Sequence, residues 1–301
     1  MTSERYLSAE TGDRLNRSYR LEMDDLIIKP KEPPRSDPKK EAKVKQASPL
    51  PSAIIYEIIR REGEEELART NRSLIWSGVA AGLMMSFSVL GEAIFRTYLP
   101  DVRHAYLIEN LGYSFGFLLV IMGRLQLFTE NTITTVFPFL ANPKLEVFLA
   151  TLRLWSIVLA ANVVGAFAAA FVMHTGAISE EFRPAIHSLS EHATGMGGYE
   201  SFLRGIPAGI LVAAMVWSMP QANTGRFFVI LAFTWLIAAG DFTHIIAGSV
   251  EMAYLITGGD LTAGPALFGF FLPVLAGNIV GGTAVFTMIA YGQVVDDIDR
   301  H

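Results

Sequence analysis

From Ser73 onward the chain is built of long apolar runs, SLIWSGVAAGLMMSFSVLG and PALFGFFLPVLAGNIVGGTAVFTMIAY among them, whereas the stretch up to Arg72 is charged and proline-containing. About 20 apolar residues cross a hydrocarbon core as a helix, so the pattern predicts an all-α polytopic membrane protein. Six hydrophobic units are expected, at residues 73–97, 110–141, 145–173, 201–219, 226–257 and 264–292. The second and fifth are each about 32 residues, longer than a simple span requires. Each also carries a polar interruption at its centre, GRLQLFTEN at 123–131 and GDFTH at 240–244. Two half-helices joined by a loop inside the bilayer account for both the length and the interruption. In the fifth unit the break is expected at Gly240. The apolar part starts too late for a cleaved secretory signal.

The segment ahead of the spans predicts two pieces. Residues 1–50, with KPKEPPRSDPKKEAK, cannot bury enough apolar surface to fold alone and are expected to be a disordered charged cytoplasmic tail. Residues 51–72 place Ile54, Ile55, Ile58 and Ile59 on one face of an amphipathic cytoplasmic helix. It would lie on the bilayer or on the protein's own inner face, with a solvent-exposed linker helix as the alternative. The channel domain is expected over 73–293, and a short cytoplasmic tail over 294–301.

Charge fixes an orientation. Of 24 Lys and Arg, 15 precede the first span, which puts both termini in the cytoplasm by the bias of basic residues toward that side. The same tail holds a nearly equal number of acids, which argues for solvation and against a nucleic-acid arm. The net charge of -5 adds little, because the charges are segregated. With 0 Cys there is neither a disulfide framework nor a thiolate metal site. His187 and His192 are a poor helical metal pair, and the glycines of GMGGYES lack the preceding strand of a phosphate loop. No cofactor and no metal are expected.

The two halves share short segments. GVAAG at 78–82 matches GIPAG at 205–209, and Asn162-V-V-Gly165 matches Asn278-I-V-Gly281. Three spans per copy is an odd number, so the second copy enters from the opposite face: a 3+3 inverted repeat, in which the site sits at the discontinuous helices near the midplane. The glycines four apart read as sites of close helix approach in lipid.

Unpaired backbone groups in the bilayer cost several kcal/mol each, so loops at that depth line a cavity or are buried in protein. This directs attention to His244 and, from the other break, Thr129. His244 is expected to supply a hydrogen bond, with or without a proton, to a passing solute; a satisfied core histidine is the alternative. Thr129 is a hydroxyl donor, an N-cap of the second half-helix, or both. Asn162 and Asn278 tie the loops down or simply pack helices. Arg153, within a span, attracts anions at the cytoplasmic mouth or snorkels to the interface. Arg124 is expected to pair with Glu130 or Asp241.

The motifs YSFG at 113–116, LFTEN at 127–131, LW…N at 154–162, FTH at 242–244 and GNIVGG at 277–282 resemble the formate/nitrite transporter family of pentameric anion channels. ENLGYSFGFLLVIMGRLQLFTENT and THIIAGSVE are especially similar to its YfdC-type branch. The resemblance implies an aquaporin-like six-helix protomer with helices 2 and 5 broken, one pore per protomer and a homopentamer in the inner membrane. It implies that Leu127 and Phe128 narrow the pore, that Thr129 faces it, and that Tyr113 stands at a second hydrophobic constriction. His244 matches the family's central histidine, and Arg153 stands where many members have Lys. Many members read Phe-Glu-His-Ser and place Asn four residues after the His; here Thr243, Ile245 and Gly248 replace the Glu, Ser and Asn, so selectivity does not carry over.

The reading is therefore an inner-membrane channel or transporter for small monovalent anions or their weak acids, with the lipid bilayer as its surroundings and no nucleic acid as partner. Two alternatives stand beside it. One is a scaffold that recruits a partner through its tail. The other is a membrane-embedded enzyme with His244 as base, assisted by Thr243 or Asp241, although no Ser or Cys nucleophile adjoins the His.

Overall fold

The structure, a computed structural model, describes residues 48–298. The chain divides into Met1–Pro49 and Leu50–His301, and the helices described below belong to the second unit. The tail expected at 1–50 lies, up to residue 47, outside the described residues, as do residues 299–301 of the short terminal tail. All regular structure among the described residues is helical.

Helix α1 (Ser52–Leu67) is amphipathic, but its buried face is Ile55, Tyr56, Ile59 and Gly63. This corrects the expected isoleucine stripe: Ile54 is 46% exposed and Ile58 only half-buried. The rotation follows from what α1 packs on. The Tyr56 ring meets Phe137 edge-on at 4.9 Å, and Gly63 rests on the Thr134 carbonyl, where a Cβ would collide. The helix is thus docked on the protein itself rather than being a free linker.

Thr70 starts α2 (Asn71–Tyr98) by accepting from the Ser73 amide at 3.3 Å. The second apolar unit begins earlier than expected, with α3 (Ala105–Glu109) and α4 (Ser114–Met122), and resumes as α5 (Phe128–Thr134) and α6 (Val136–Ala141). Pro138 cannot donate to Thr134, which accounts for the stop and restart there. Then come α7 (Leu145–Met173), α8 (Arg183–Thr194) and α9 (Gly198–Ala222). A turn at Asn223–Gly225 leads to α10 (Arg226–Ala239), and residues 240–244 separate it from α11 (Ile245–Gly258). Gly259, at φ 90°, ends α11. The last unit passes through π-helical turns at Pro265–Phe271 and Val280–Thr287 that flank α12 (Leu272–Ile279), and finishes as α13 (Met288–Ile298).

Among the described residues, five helical runs are long and apolar enough to cross a membrane: Asn71–Tyr98, Ala105–Met122, Leu145–Met173, Gly198–Ala239 and Pro265–Asp297; Ile245–Gly258 is apolar but shorter. Large apolar side chains on them point outward, Phe171 at 67% and Phe268 at 70% exposure among them, as a lipid-facing surface requires.

Glycine sets how closely these helices pack. A Cβ on Gly82 would strike the Asn162 carbonyl, and one on Gly165 the Val79 carbonyl, so α2 and α7 touch backbone to backbone. Gly209 meets the Asn278 carbonyl and Gly281 the Ile206 carbonyl in the same way.

Candidate functional site

The two non-helical turns are built alike. At the first, the Arg124 amide donates to Ile121 and the Leu125 amide reaches back to Val120 at 3.0 Å; at the second, Asp241 donates to Ala238 and Phe242 reaches Ile237 at 3.0 Å. Both are helix C-terminal turns closed by a left-handed residue. The left-handed residues are Arg124 at φ 53° and Asp241 at φ 54°, not the glycines before them. Gly123 and Gly240 keep right-handed angles and provide space: a Cβ on Gly240 would press on the Phe242 ring. The break expected at Gly240 therefore turns at Asp241.

Beyond each turn, one asparagine closes the gap in the backbone. Asn162 Nδ2 donates to the carbonyls of Gly78 and Gln126, both at 2.8 Å, while its Oδ1 accepts from the Phe128 amide at 3.0 Å. Asn278 Nδ2 donates to Gly205 and Thr243, both at 2.9 Å, and its Oδ1 accepts from the Ile245 amide at 2.9 Å. Both side chains are fully buried. Their bonds satisfy backbone groups that extended turns leave open.

Between the turns, Thr129 Oγ1 and His244 Nε2 lie 2.8 Å apart. His244 also caps α11, its Nδ1 accepting from the Ala247 amide at 3.3 Å. An amide N–H can only donate, so Nδ1 holds a lone pair and the neutral ring carries its proton on Nε2. That proton faces Thr129, whose own O–H remains to be offered. Capping by Thr129 is not found: Leu127 occupies the cap position of α5 without a side-chain bond.

Apolar rings enclose the pair. Phe117 stands edge-on to the His244 ring at 4.9 Å and packs against Tyr113 at 5.4 Å. Leu127 and Phe128 are buried, and Phe128 meets Trp155 edge-on at 5.6 Å. The Phe270 ring fills the place that a side chain at 248 would take, which gives the glycine there a steric reason. A cavity of about 70 Å³ has His244 in its wall, together with Tyr113, Thr243, Asp241 and His192.

Other expected groups sit elsewhere. Thr243 donates to the Ser201 carbonyl at 2.8 Å. Asp241 is held by Arg204 and by His192 Nε2 at 2.9 Å. Neither touches the His244 ring through a hydrogen bond, so the catalytic assistance considered for them has no geometry. Arg124 forms no ion pair among the described residues, which corrects its expected pairing with Glu130 or Asp241; its side chain is exposed at the turn. Arg153 is exposed and binds the link between α1 and α2, at the Leu67 carbonyl (2.7 Å) and Asn71 Oδ1 (3.1 Å). The scaffold role considered for the tail lies outside the described residues.

Two cavity-lining residues, Glu92 and Glu251, were not singled out by the sequence reading. Each is a lone acid in an apolar run, and an ionisable residue inside a span is a functional candidate by default. That signal was available in SVLGEAIF and IAGSVEMAY.

Several known proteins share this arrangement of sequence. A family model described as Formate/nitrite transporter matches residues 53–292. Inner membrane protein YfdC of Escherichia coli (strain K12) is 42% identical over 253 residues, 84% of this chain and 82% of that one. Formate channel FocA of Haemophilus influenzae is 26% identical over 240 residues, 68% of this chain and 81% of that one. Among solved structures, a pentameric formate channel with formate bound has a TM-score of 0.63 at 21% identity, over 75% of this chain and 97% of that one. An FNT family ion channel has a TM-score of 0.67 at 16% identity, over 79% and 98%.

Proposed function

The chain belongs to the formate/nitrite transporter family and is a multi-pass membrane protein, and on that footing we propose that it conducts small monovalent anions or their weak acids past His244. The observation that carries this reading is the 2.8 Å bond between Thr129 and His244. It joins two polar turns inside an apolar bundle, where such groups are tolerated beside a conduit.

The protomer in this reading is an aquaporin-like 3+3 inverted repeat of six transmembrane helices, the second and fifth broken within the bilayer. Support comes from the matched pairs: the turns at Arg124 and Asp241, the clamps Asn162 and Asn278, and the glycine contacts of α2 with α7 and of α9 with the last unit. Leu127, Phe128 and Tyr113 form dry constrictions, and Thr129 and His244 supply donors between them. Thr243 positions the turn through Ser201, and Arg153 stands at the cytoplasmic end. Both termini are cytoplasmic in the inner membrane: the tail of 1–50, the helix of 51–72, the channel domain of 73–293 and the end at 294–301. Protomers assemble as a homopentamer, a reading supported by the pentameric formate channel among the structural neighbours.

A dry constriction admits a solute that sheds most of its net charge. The Nε2 proton of His244 and the Thr129 hydroxyl can meet an oxyanion as donors, replacing water at the narrowest point. The experiment is uptake of labelled formate, acetate, nitrite, lactate and hydrosulfide into proteoliposomes, at about pH 5 and about pH 8, either side of an ordinary histidine titration. Uptake above protein-free liposomes, changed in its pH dependence by His244→Phe, is the expected result. No uptake of any of the five, or a His244→Phe profile identical to wild type, removes the reading.

A further inference from the structure

Carboxylates around this cavity are of two kinds. Glu109 has Arg96 at 3.7 Å, Glu200 has Arg204 at 2.6 Å, and Asp241 has Arg204 and His192. Glu92 of α2 and Glu251 of α11 make no ion pair and no hydrogen bond among the described residues, although they are only 8% and 9% exposed. Both line the cavity of about 70 Å³ that His244 also lines.

A buried carboxylate without a partner is strongly disfavoured, and two on one cavity are neutralised either by protons or by a cation held between them. The protein's own donors are engaged. Arg96, Arg204 and His192 serve other acids. His244 Nδ1 faces the Ala247 amide and Nε2 faces Thr129, and Thr243 gives its proton to Ser201. Of the polar groups in the wall, the Tyr113 phenol is left as a donor among the described residues.

The remaining walls include the rings of Tyr113, Phe242 and Phe270. Carboxylates combined with aromatic faces suit a compact nitrogen cation, which donates hydrogen bonds to the former and is attracted to the latter. A divalent metal fits less well, since among the described residues no three His, Asp or Glu are placed to hold one. The volume of about 70 Å³ limits the ligand to a few heavy atoms. We propose that the cavity between Glu92 and Glu251 binds a small monovalent ammonium-type cation, ammonium or methylammonium, directly beside His244. This does not rest on the anion reading, because it concerns occupancy of the cavity and not passage beyond it.

The test is equilibrium binding of labelled methylammonium to the full-length protein in detergent, near pH 7.5, where free carboxyls are ionised. Expected is saturable binding, displaced by ammonium but not by the bulkier tetramethylammonium, and weakened about tenfold or more by Glu92→Gln and by Glu251→Gln, as loss of a buried charge partner requires. Glu92→Asp and Glu251→Asp keep the charge and should retain measurable binding, which separates lost recognition from lost folding. Absence of saturable binding in the folded wild-type protein overturns the proposal, and is the outcome if protons alone neutralise the pair. Binding unchanged in both Gln variants overturns it as well. Anion uptake that fails while methylammonium binding persists would remove the proposed function and leave this site standing.

Discussion

Asn162 and Asn278 make the same three bonds at two different turns: each accepts from the first amide of the resuming helix and donates to a carbonyl of the turn and to a glycine carbonyl of the neighbouring helix. Three bonds per fully buried side chain make these positions sensitive. Asn162→Ala and Asn278→Ala are each expected to lower unfolding stability by about 2–4 kcal/mol, because backbone groups are left unpaired. Thermal melting in detergent measures this. A wild-type melting temperature for both variants would mean that the clamps hold nothing.

Removing the Thr129 hydroxyl takes away the partner of His244 Nε2. Thr129→Val keeps the shape and should reduce solute uptake about tenfold, the equivalent of one hydrogen bond of about 1.4 kcal/mol. Thr129→Ser restores the donor and should stay near wild type. Equal uptake by the Val variant and wild type would argue that the pair is a packing contact.

The glycine contacts separate tight positions from loose ones. A Cβ at Gly209 would overlap the Asn278 carbonyl and lie 2.9 Å from the Gly282 amide nitrogen, all backbone atoms that cannot swing away. Gly209→Ala is expected to destabilise by about 1–3 kcal/mol or more. A Cβ at Gly225 meets nothing within 4 Å, so Gly225→Ala should change stability by less than about 0.5 kcal/mol. Comparing the two melts in the same detergent checks the contrast.

On α1, outside the apolar bundle, Glu57 lies 2.8 Å from Arg60 and 2.6 Å from Arg61. The hydrogen bond from Arg60, with help from Arg61, lowers its pKa from 4.5 to about 2. A depressed carboxyl contributes stability that is fully present above the unfolded value and is lost as the pH falls through the folded one. Glu57→Gln should therefore lower the melting temperature near neutral pH, and the gap should close between pH 4.5 and about 2. The side chain is 35% exposed, so screening holds the effect to less than about 1 kcal/mol. A gap that persists at the acid end would assign the effect to helix propensity.

Much of this was readable from residue order. The polar interruptions at 123–131 and 240–244 pointed to non-helical turns because apolar length and polar content disagreed there, while the AsnxVG segments left loop ties and helix packing as equal readings. What escaped depends on angles that composition does not carry. Gly240 marked the expected break, yet Asp241 takes the left-handed conformation while Gly240 makes room for Phe242. Arg124 looked like a partner for Asp241 by chemistry alone; Arg204, from a helix start some 37 positions away, is the group that reaches it. The α1 stripe shifted because Tyr56 and Gly63 answer to Phe137 and the Thr134 carbonyl, neighbours that only the fold supplies. Glu92 and Glu251 were legible as isolated acids, but nothing local says that they share one cavity.

The amide of Ala247 has one more effect. By occupying Nδ1 it leaves the imidazole a single working edge, and that edge already carries the ring's proton, so the ring offers a hydrogen bond at Nε2 and has no free lone pair to take up a second proton. Relay straight through the ring, in at one nitrogen and out at the other, would require the first turn of α11 to let go. The histidine is thereby suited to hold out a hydrogen bond on one side, and not to pass protons along as a wire.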